Sequence, residues 1–259
     1  MTPLLKCDEL SVAVAGRILV RNLSFALSGG EVLALLGRNG SGKSLTMHTL
    51  AGLRPAETGC VELNGQAVSG NRGYISRHLA LLPQYTEDVF PSTVLDTAMI
   101  GRHPHIGRLQ WESDHDRQIA LESLRQMDLA DLSSRDVATL SGGERRRLAI
   151  AQVMTQSPHV YLLDEPTNHL DPQHQLDVLQ VFRNRAHGGA SVIVSLHDVN
   201  LAVRYADRCL LLYGDGRWEL DQTPMVLTEQ RLSELYNTSM EAVDWHGRQL
   251  FIANARSAD

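Results

Sequence analysis

Residues Gly37-Arg38-Asn39-Gly40-Ser41-Gly42-Lys43-Ser44 fit the pattern G-x-x-x-x-G-K-[ST], a spacing suited to holding a polyphosphate. The glycines at 37, 40 and 42 let backbone N–H groups along the loop, including those of Asn39 and Ser41, turn inward around an anion, and a following helix adds its positive end. Lys43 is placed to reach the β and γ phosphates, and the Ser44 hydroxyl can ligate Mg²⁺. A second set closes the stretch Val160-Tyr161-Leu162-Leu163-Asp164-Glu165, where four strand-type residues run into two carboxylates. In isolation such a pair marks a strand meeting solvent. Beside a phosphate loop, Asp164 belongs next to Mg²⁺ and Glu165 is placed to polarise an attacking water. A third set, Leu140-Ser141-Gly142-Gly143-Glu144, reads as a serine-capped helix start with Glu144 in the capping-box position.

The elements that must position these groups follow from the apolar pattern. Residues 31–36 (EVLALL) are a short, continuous strand of the buried type leading into the phosphate loop, and residues 44–53 read as the helix after it, the context the motif requires. Residues 7–27 alternate loosely and end at Gly29-Gly30, which predicts an antiparallel entry sheet. Further buried-strand patterns at 79–82, 160–163, 192–195 and 209–213, separated by helical stretches, predict an α/β fold on a mostly parallel sheet. Residues 85–157 show helical periodicity, with Ala120, Leu124 and Met127 on one face and a second helix from about Gly143 to before Pro158. From Gly214 onward the pattern predicts a turn, a helix over 228–236 and a final short strand pair, with no obvious chemistry. Residues 1–259 thus read as a single domain without repeats: a core (1–84 and 158–213), an inserted helical subdomain (85–157) and a C-terminal extension (214–259).

With 259 residues, 43% hydrophobic and 21% charged, the chain is long enough to bury a substantial core and is neither disordered nor collagen-like. A net charge of -6 gives no overall field for a nucleic-acid backbone. Cys7, Cys60 and Cys209 are odd in number and far apart, which argues against a disulfide framework or a zinc site and for a reducing compartment. Apolar runs such as 32–36 fall far short of the roughly 18–20 residues of a membrane span. The stretch Met1-Thr2-Pro3-Leu4-Leu5-Lys6 lacks the pattern of a secretory leader, so secretion is not expected.

The three motifs together, in this order, resemble the ATP-binding cassette (ABC) ATPases over nearly the whole chain. The resemblance implies a P-loop NTPase core and a head-to-tail pair of nucleotide-binding subunits, most simply a homodimer. In that pair Ser141, Gly142, Gly143 and Glu144 of one copy face the γ-phosphate held by Gly37, Asn39, Gly40, Ser41, Gly42, Lys43 and Ser44 of the other, so ATP joins the dimer. It also implies that Gln84 senses γ-phosphate and Mg²⁺ and joins the core to the helical subdomain, which gives Ser44, Gln84 and Asp164 as the Mg²⁺ set. Asp171, in Asn168-His169-Leu170-Asp171, matches the loop that touches the partner subunit. His197 matches the switch histidine on the γ-phosphate and joins Glu165 as the catalytic pair.

Phe90-Pro91-Ser92-Thr93-Val94, Met99 to His105, residues 165–171, residues 195–202 and the tail from Val226 to Tyr236 are similar to the ATPases of bacterial importers for iron-siderophores, haem and vitamin B12. That branch implies a peripheral subunit at the cytoplasmic face of the inner membrane. A groove near residues 90–105 would hold a helix of a polytopic permease, and a periplasmic or surface binding protein would act indirectly. The alternative is a soluble cassette ATPase of iron-sulfur cluster assembly, which shares the size, the loop and the signature. Residues 101–105 and 197–200 favour the importer. Ribosome-acting cassettes carry two cassettes per chain, and the stretch from Lys43 to Leu140 has no room for the coiled coil of DNA-repair cassettes.

One position departs from the family. Where members commonly carry an aromatic residue that stacks on adenine, this chain has Val14, with no Phe, Tyr or Trp over residues 8–17. Base selectivity is therefore expected to be modest, with GTP competing for the site. Arg145-Arg146-Arg147 opens the signature helix and reads as a solvated basic face rather than a nucleic-acid patch. His103, His105 and His115 lack companions at ligand spacing and are not assigned to a metal.

Overall fold

A computed structural model describes residues 3–85, 91–107 and 109–254. The chain opens with β1 (Leu5–Val14) and β2 (Arg17–Leu27), followed by β3 (Val32–Leu36) and α1 (Lys43–Leu50). Then come β4 (Thr58–Leu63), β5 (Gln66–Ala67), α2 (Arg72–His78) and β6 (Leu79–Leu82). The helical part holds α3 (Val94–Met99), a 3-10 turn at Ile100–His105, α4 (Asp114–Gln126) and α5 (Gly142–Gln156). The chain returns through β7 (Val160–Leu163), α6 (Pro172–His187), β8 (Ser191–Ser195), α7 (Val199–Tyr205) and β9 (Arg208–Leu212). It ends with β10 (Trp218–Gln222), α8 (Thr223–Val226), α9 (Glu229–Tyr236), β11 (Met240–Trp245) and β12 (Arg248–Ala253).

The central sheet has the order β10-β9-β3-β8-β7-β6, parallel throughout except for β10, which pairs antiparallel with β9. The period of two sends alternate residues of β3 to opposite faces: Val32, Ala34 and Leu36 join the core beneath α4 to α7, while Leu33 and Leu35 join the core beneath α1 and the entry sheet. Both faces are buried, which is why the parallel strands read as unbroken apolar runs. The entry sheet, β2-β1-β4-β5, is antiparallel as expected from residues 7–27. Short and partly exposed, β4, β5 and the antiparallel edge strand β10 carry no clean alternation, and none stood out in the sequence. The phosphate-loop helix stops at Leu50, three residues before the expected end, because Gly52 turns the chain with φ 70°.

Among the described residues between β6 and β7 there are helices and one isolated β-bridge, Thr93 to Asp136, in keeping with an inserted helical part. Arg102 joins its pieces. The guanidinium is buried and donates to Asp116 Oδ1 (2.8 Å) at the start of α4 and to Thr155 O (3.1 Å) near the end of α5. Gly101 lets the 3-10 turn lie directly on α5, since a Cβ there would stand 2.3 Å from Gln152 O and 3.0 Å from Gln156 N. Backbone atoms cannot swing aside as a side chain could. Gly101→Ala is expected to destabilise the chain by about 1–3 kcal/mol, read as a lower urea midpoint at unchanged slope; an unaltered midpoint would show that the two elements have room to separate. No helix among the described residues is long and apolar enough to cross a membrane.

Candidate functional site

Four of the sequence motifs leave the carboxyl ends of neighbouring parallel strands. Gly37 follows β3, Gln84 lies two residues beyond β6, Asp164 and Glu165 follow β7, and His197 lies two residues beyond β8. The register keeps these ends level: Leu82 pairs with Leu163, Leu163 with Val194, and Leu35 with Ser195. The sheet therefore brings groups from distant parts of the sequence to one edge, the usual place for a ligand in an open α/β sheet.

The phosphate loop is tight for reasons visible in its glycines. A Cβ at Gly37 would meet Leu212 O and Ser41 Oγ at 2.5 Å, and Gly42 caps α1 with φ 103° and no side-chain hydrogen bond. The first-turn N–H groups of α1 thus have no side-chain acceptor at the cap and point out of the helix end, a ready anion site. Lys43 is buried at 5% exposure and donates to Gly37 O (2.7 Å) and Arg38 O (3.4 Å). Burial holds its ammonium below the usual lysine value, and Glu165 and Asp164 pull it partly back up. Lys43, Ser44, Asn39, Gln84 and Glu165 line a cleft of about 290 Å³ together with Val14 and Leu19. A larger cleft of about 630 Å³ borders the other side of the loop, between Arg38, Ser41, His197, Tyr213 and Tyr236.

Opposite the loop stands Glu165. His197 Nε2 lies 2.7 Å from its Oε1, while Gln84 Nε2 (2.7 Å) and Asn168 Nδ2 (2.5 Å) donate to Oε2. Its backbone is left-handed, with φ 49°, a conformation that costs a non-glycine residue about 1–2 kcal/mol. Two groups hold it there. Ser195 Oγ accepts the Glu165 N–H (2.8 Å) and itself donates to Asp164 Oδ1 (2.6 Å). Arg146 donates to Asp164 O and Glu165 O (both 2.7 Å), to Pro83 O (2.8 Å), and more weakly to Gln84 O (3.3 Å) and Pro166 O (3.4 Å).

This corrects the reading of Arg145-Arg146-Arg147 as a solvated face. Arg146 is 6% exposed and clasps the glutamine loop to the carboxylate loop, because the turn of α5 that carries it faces inward. Arg145 and Arg147 stay nearer the surface, on Leu140 O and His174 respectively. Asn168, Ser195 and Arg146 were the site residues that sequence reasoning missed. A serine ending a buried strand or an arginine at the fifth residue of a helix has no local signature, and only the tertiary contacts reveal them.

The signature residues lie apart from this cluster. Ser141 caps α5 in a complete capping box, with Glu144 Oε2 accepting the Ser141 N–H (2.7 Å) and Ser141 Oγ accepting the Glu144 N–H (3.3 Å). Gly142 has an ordinary helical φ, and a Cβ there would meet nothing within 4 Å among the described residues. Nothing in the packing of the described residues asks for glycine at 142, which leaves the backbone of the first turn of α5 uncovered by a side chain there. Asp171 caps α6, accepting the His174 N–H (3.0 Å), and these His174 hydrogen bonds hold its carboxyl below the usual range. His105 Nε2 pairs with Gln156 O (2.8 Å), and His103 borders a polar cleft with Asp96 and Glu112. Phe90 lies outside the described residues.

The donor set fits a Mg²⁺ ion. Ser44 Oγ, the Gln84 amide oxygen and Asp164 form an all-oxygen set with one carboxylate, the chemistry such an ion prefers. Asp164 is 1% exposed, and its charge acts on the two buried cations Lys43 and Arg146.

A phosphate loop, a buried carboxylate and a histidine on one sheet edge define a nucleoside-triphosphate hydrolase. The ABC transporter family profile matches residues 20–168. The chain is 41% identical over 240 residues to the hemin import ATP-binding protein HmuV of Gloeobacter violaceus, covering 88% of this chain and 85% of that protein. It is 36% identical over 238 residues to the achromobactin transport ATP-binding protein CbrD of Dickeya dadantii, covering 91% and 88%. In structure it is similar to a metal-chelate type ABC transporter solved in an inward-facing conformation, with a TM-score of 0.85, 27% identity and coverage of 98% and 99%. The chain belongs to the ABC transporter ATP-binding family and is an ATPase that couples hydrolysis to transport.

Proposed function

We propose that this chain is the motor subunit of an importer for an iron-bearing chelate, hemin before others, and that it works as a head-to-tail pair of copies beneath a membrane permease. The Glu165 constellation supports the motor reading, with one carboxylate gripped by Gln84, Asn168 and His197 from three separate loops. In the mechanism, the loop from Gly37 to Ser44 and Lys43 bind the phosphates. Ser44, Gln84 and Asp164 would hold Mg²⁺, which supplies charge neutralisation on the phosphate oxygens. Glu165 orients a water and takes its proton, and His197 reports the γ-phosphate. Ser141, Gly142, Gly143 and Glu144 of the second copy, with its Asp171, complete the site, in keeping with the free space around Gly142.

Gln84 leads from this site into the helical part, so a change at its amide reaches the surface near residues 91–105. A largely apolar cleft of about 290 Å³, lined by Leu53, Val68, Ile75, Leu79, Leu81 and Gln156, adjoins that stretch through the bonds of Arg77 to Pro104 O and of His105 to Gln156 O, and could take side chains of a permease helix. The hemin-import and achromobactin-transport names of the relatives support the ligand class. Uptake tests the ligand: Lys43→Ala in the native cell should abolish ATP-dependent accumulation of labelled hemin, and undiminished hemin uptake would exclude this ligand.

Val14 lines the cleft at 42% exposure where an aromatic ring would stack on the base. Val14→Tyr should tighten ATP binding by about 0.5–1.5 kcal/mol, roughly twofold to tenfold in Kd. The native chain should accept GTP nearly as well as ATP. A native preference for ATP of about a hundredfold, or about 2.7 kcal/mol, would be more than the lost stacking can accommodate.

A further inference from the structure

We infer that Asn200 is a positioning residue for His197, and that through it the β11–β12 hairpin sets where the switch histidine stands. Residues 197–200 form one unit. Asp198 caps α7 and accepts the Asn200 N–H (2.8 Å), so the backbone of Asn200 is tied to the turn that carries His197. The side chain of Asn200 faces the other way. Its Nδ2 donates to Phe251 O (3.1 Å), and its Oδ1 accepts the Phe251 N–H (2.8 Å). This pair of bonds fixes the orientation of the amide, since exchanging its oxygen and nitrogen would break both.

The amide thus acts as a one-residue strand on the edge of β12. Phe251 is 3% exposed and packs in the same core as Leu196, Val199 and Ala202, so the hairpin sits on the segment that runs through His197. The outer face of the hairpin is free of the core, with Val243, Trp245 and Ile252 exposed. The preceding helix α9 adds Tyr236, whose hydroxyl is buried with no hydrogen-bond partner among the described residues, to the cleft shared by His197, Gly37 and Ser41. The tail, which shows no chemistry in the sequence, therefore restrains the His197 turn through Phe251 and lines the cleft beside it with Tyr236. The bonds from the His197 turn through Asn200 to Phe251 give a contiguous path by which a nucleotide-dependent shift of His197 would reach the hairpin.

The inference rests on the proposed role of His197, and the experiment separates the two. Asn200→Asp and Asn200→Leu in the full chain should lower kcat about tenfold or more with KM for ATP changed less than about twofold, and with a thermal midpoint within a few degrees of native. In the native chain, a non-hydrolysable ATP analogue with Mg²⁺ should slow amide exchange across Arg248–Ala253, and in His197→Ala it should not. This second measurement decides the matter even if the Asn200 variants fail to fold. Native kcat in either folded Asn200 variant, or exchange at Arg248–Ala253 indifferent to nucleotide in the native chain, overturns the role of Asn200. Native turnover in His197→Ala instead removes the role of His197 on which the inference stands.

Discussion

Glu165→Gln is expected to bind ATP with near-native affinity, to hold two copies together as a closed dimer, and to turn over about 10²- to 10⁴-fold more slowly, the usual contribution of a general base. The geometry gives the reason. The substitution keeps the side-chain shape within the grip of Gln84, Asn168 and His197, but an amide cannot take a proton from water. Lys43 and the loop amides that hold phosphate are untouched. Gel filtration with ATP and Mg²⁺ should show a dimer that native protein forms only transiently, alongside a turnover assay. Turnover within a few-fold of native would take Glu165 out of its assigned role.

Arg146→Lys should be nearly as damaging as Arg146→Ala, each destabilising the chain by about 3–5 kcal/mol, because it strands buried acceptors. The guanidinium spreads its donors over carbonyl oxygens of Pro83, Gln84, Asp164, Glu165 and Pro166, and the single ammonium of lysine cannot reach them all. The same bonds hold Glu165 in its left-handed backbone. Any variant that still folds should therefore lose turnover beyond what its stability explains. Urea unfolding with a turnover assay checks both, and a lysine variant native in midpoint and in rate would show that a single charge suffices there.

Much of the site could be read from the sequence because its pieces are local. The phosphate loop is contiguous, Asp164 and Glu165 end an apolar strand, and a buried parallel sheet writes each strand as a short apolar run. The capping box at Ser141 is likewise a four-residue pattern that the structure reproduces. What escaped is what depends on distant partners. Arg146 looks like any base on a helix until α5 is docked, and Asn200 looks like a first-turn helix residue until β12 lies beside it. The edge strand β10 owes its place to pairing with β9, and the two residues of β5 to pairing with β4, since neither has a face buried enough to impose a period.

The most direct test of the account is purification of the tagged chain from its native membranes in mild detergent, followed by identification of what remains bound. The account requires recovery with a membrane protein of many spans, and ATP turnover in that complex that responds to a hemin-loaded binding protein. Recovery solely from the soluble fraction, alone or with iron-sulfur cluster assembly proteins, would contradict it and would remove the coupling role given to residues 91–105 and the adjoining cleft at Leu53, Ile75 and Leu81.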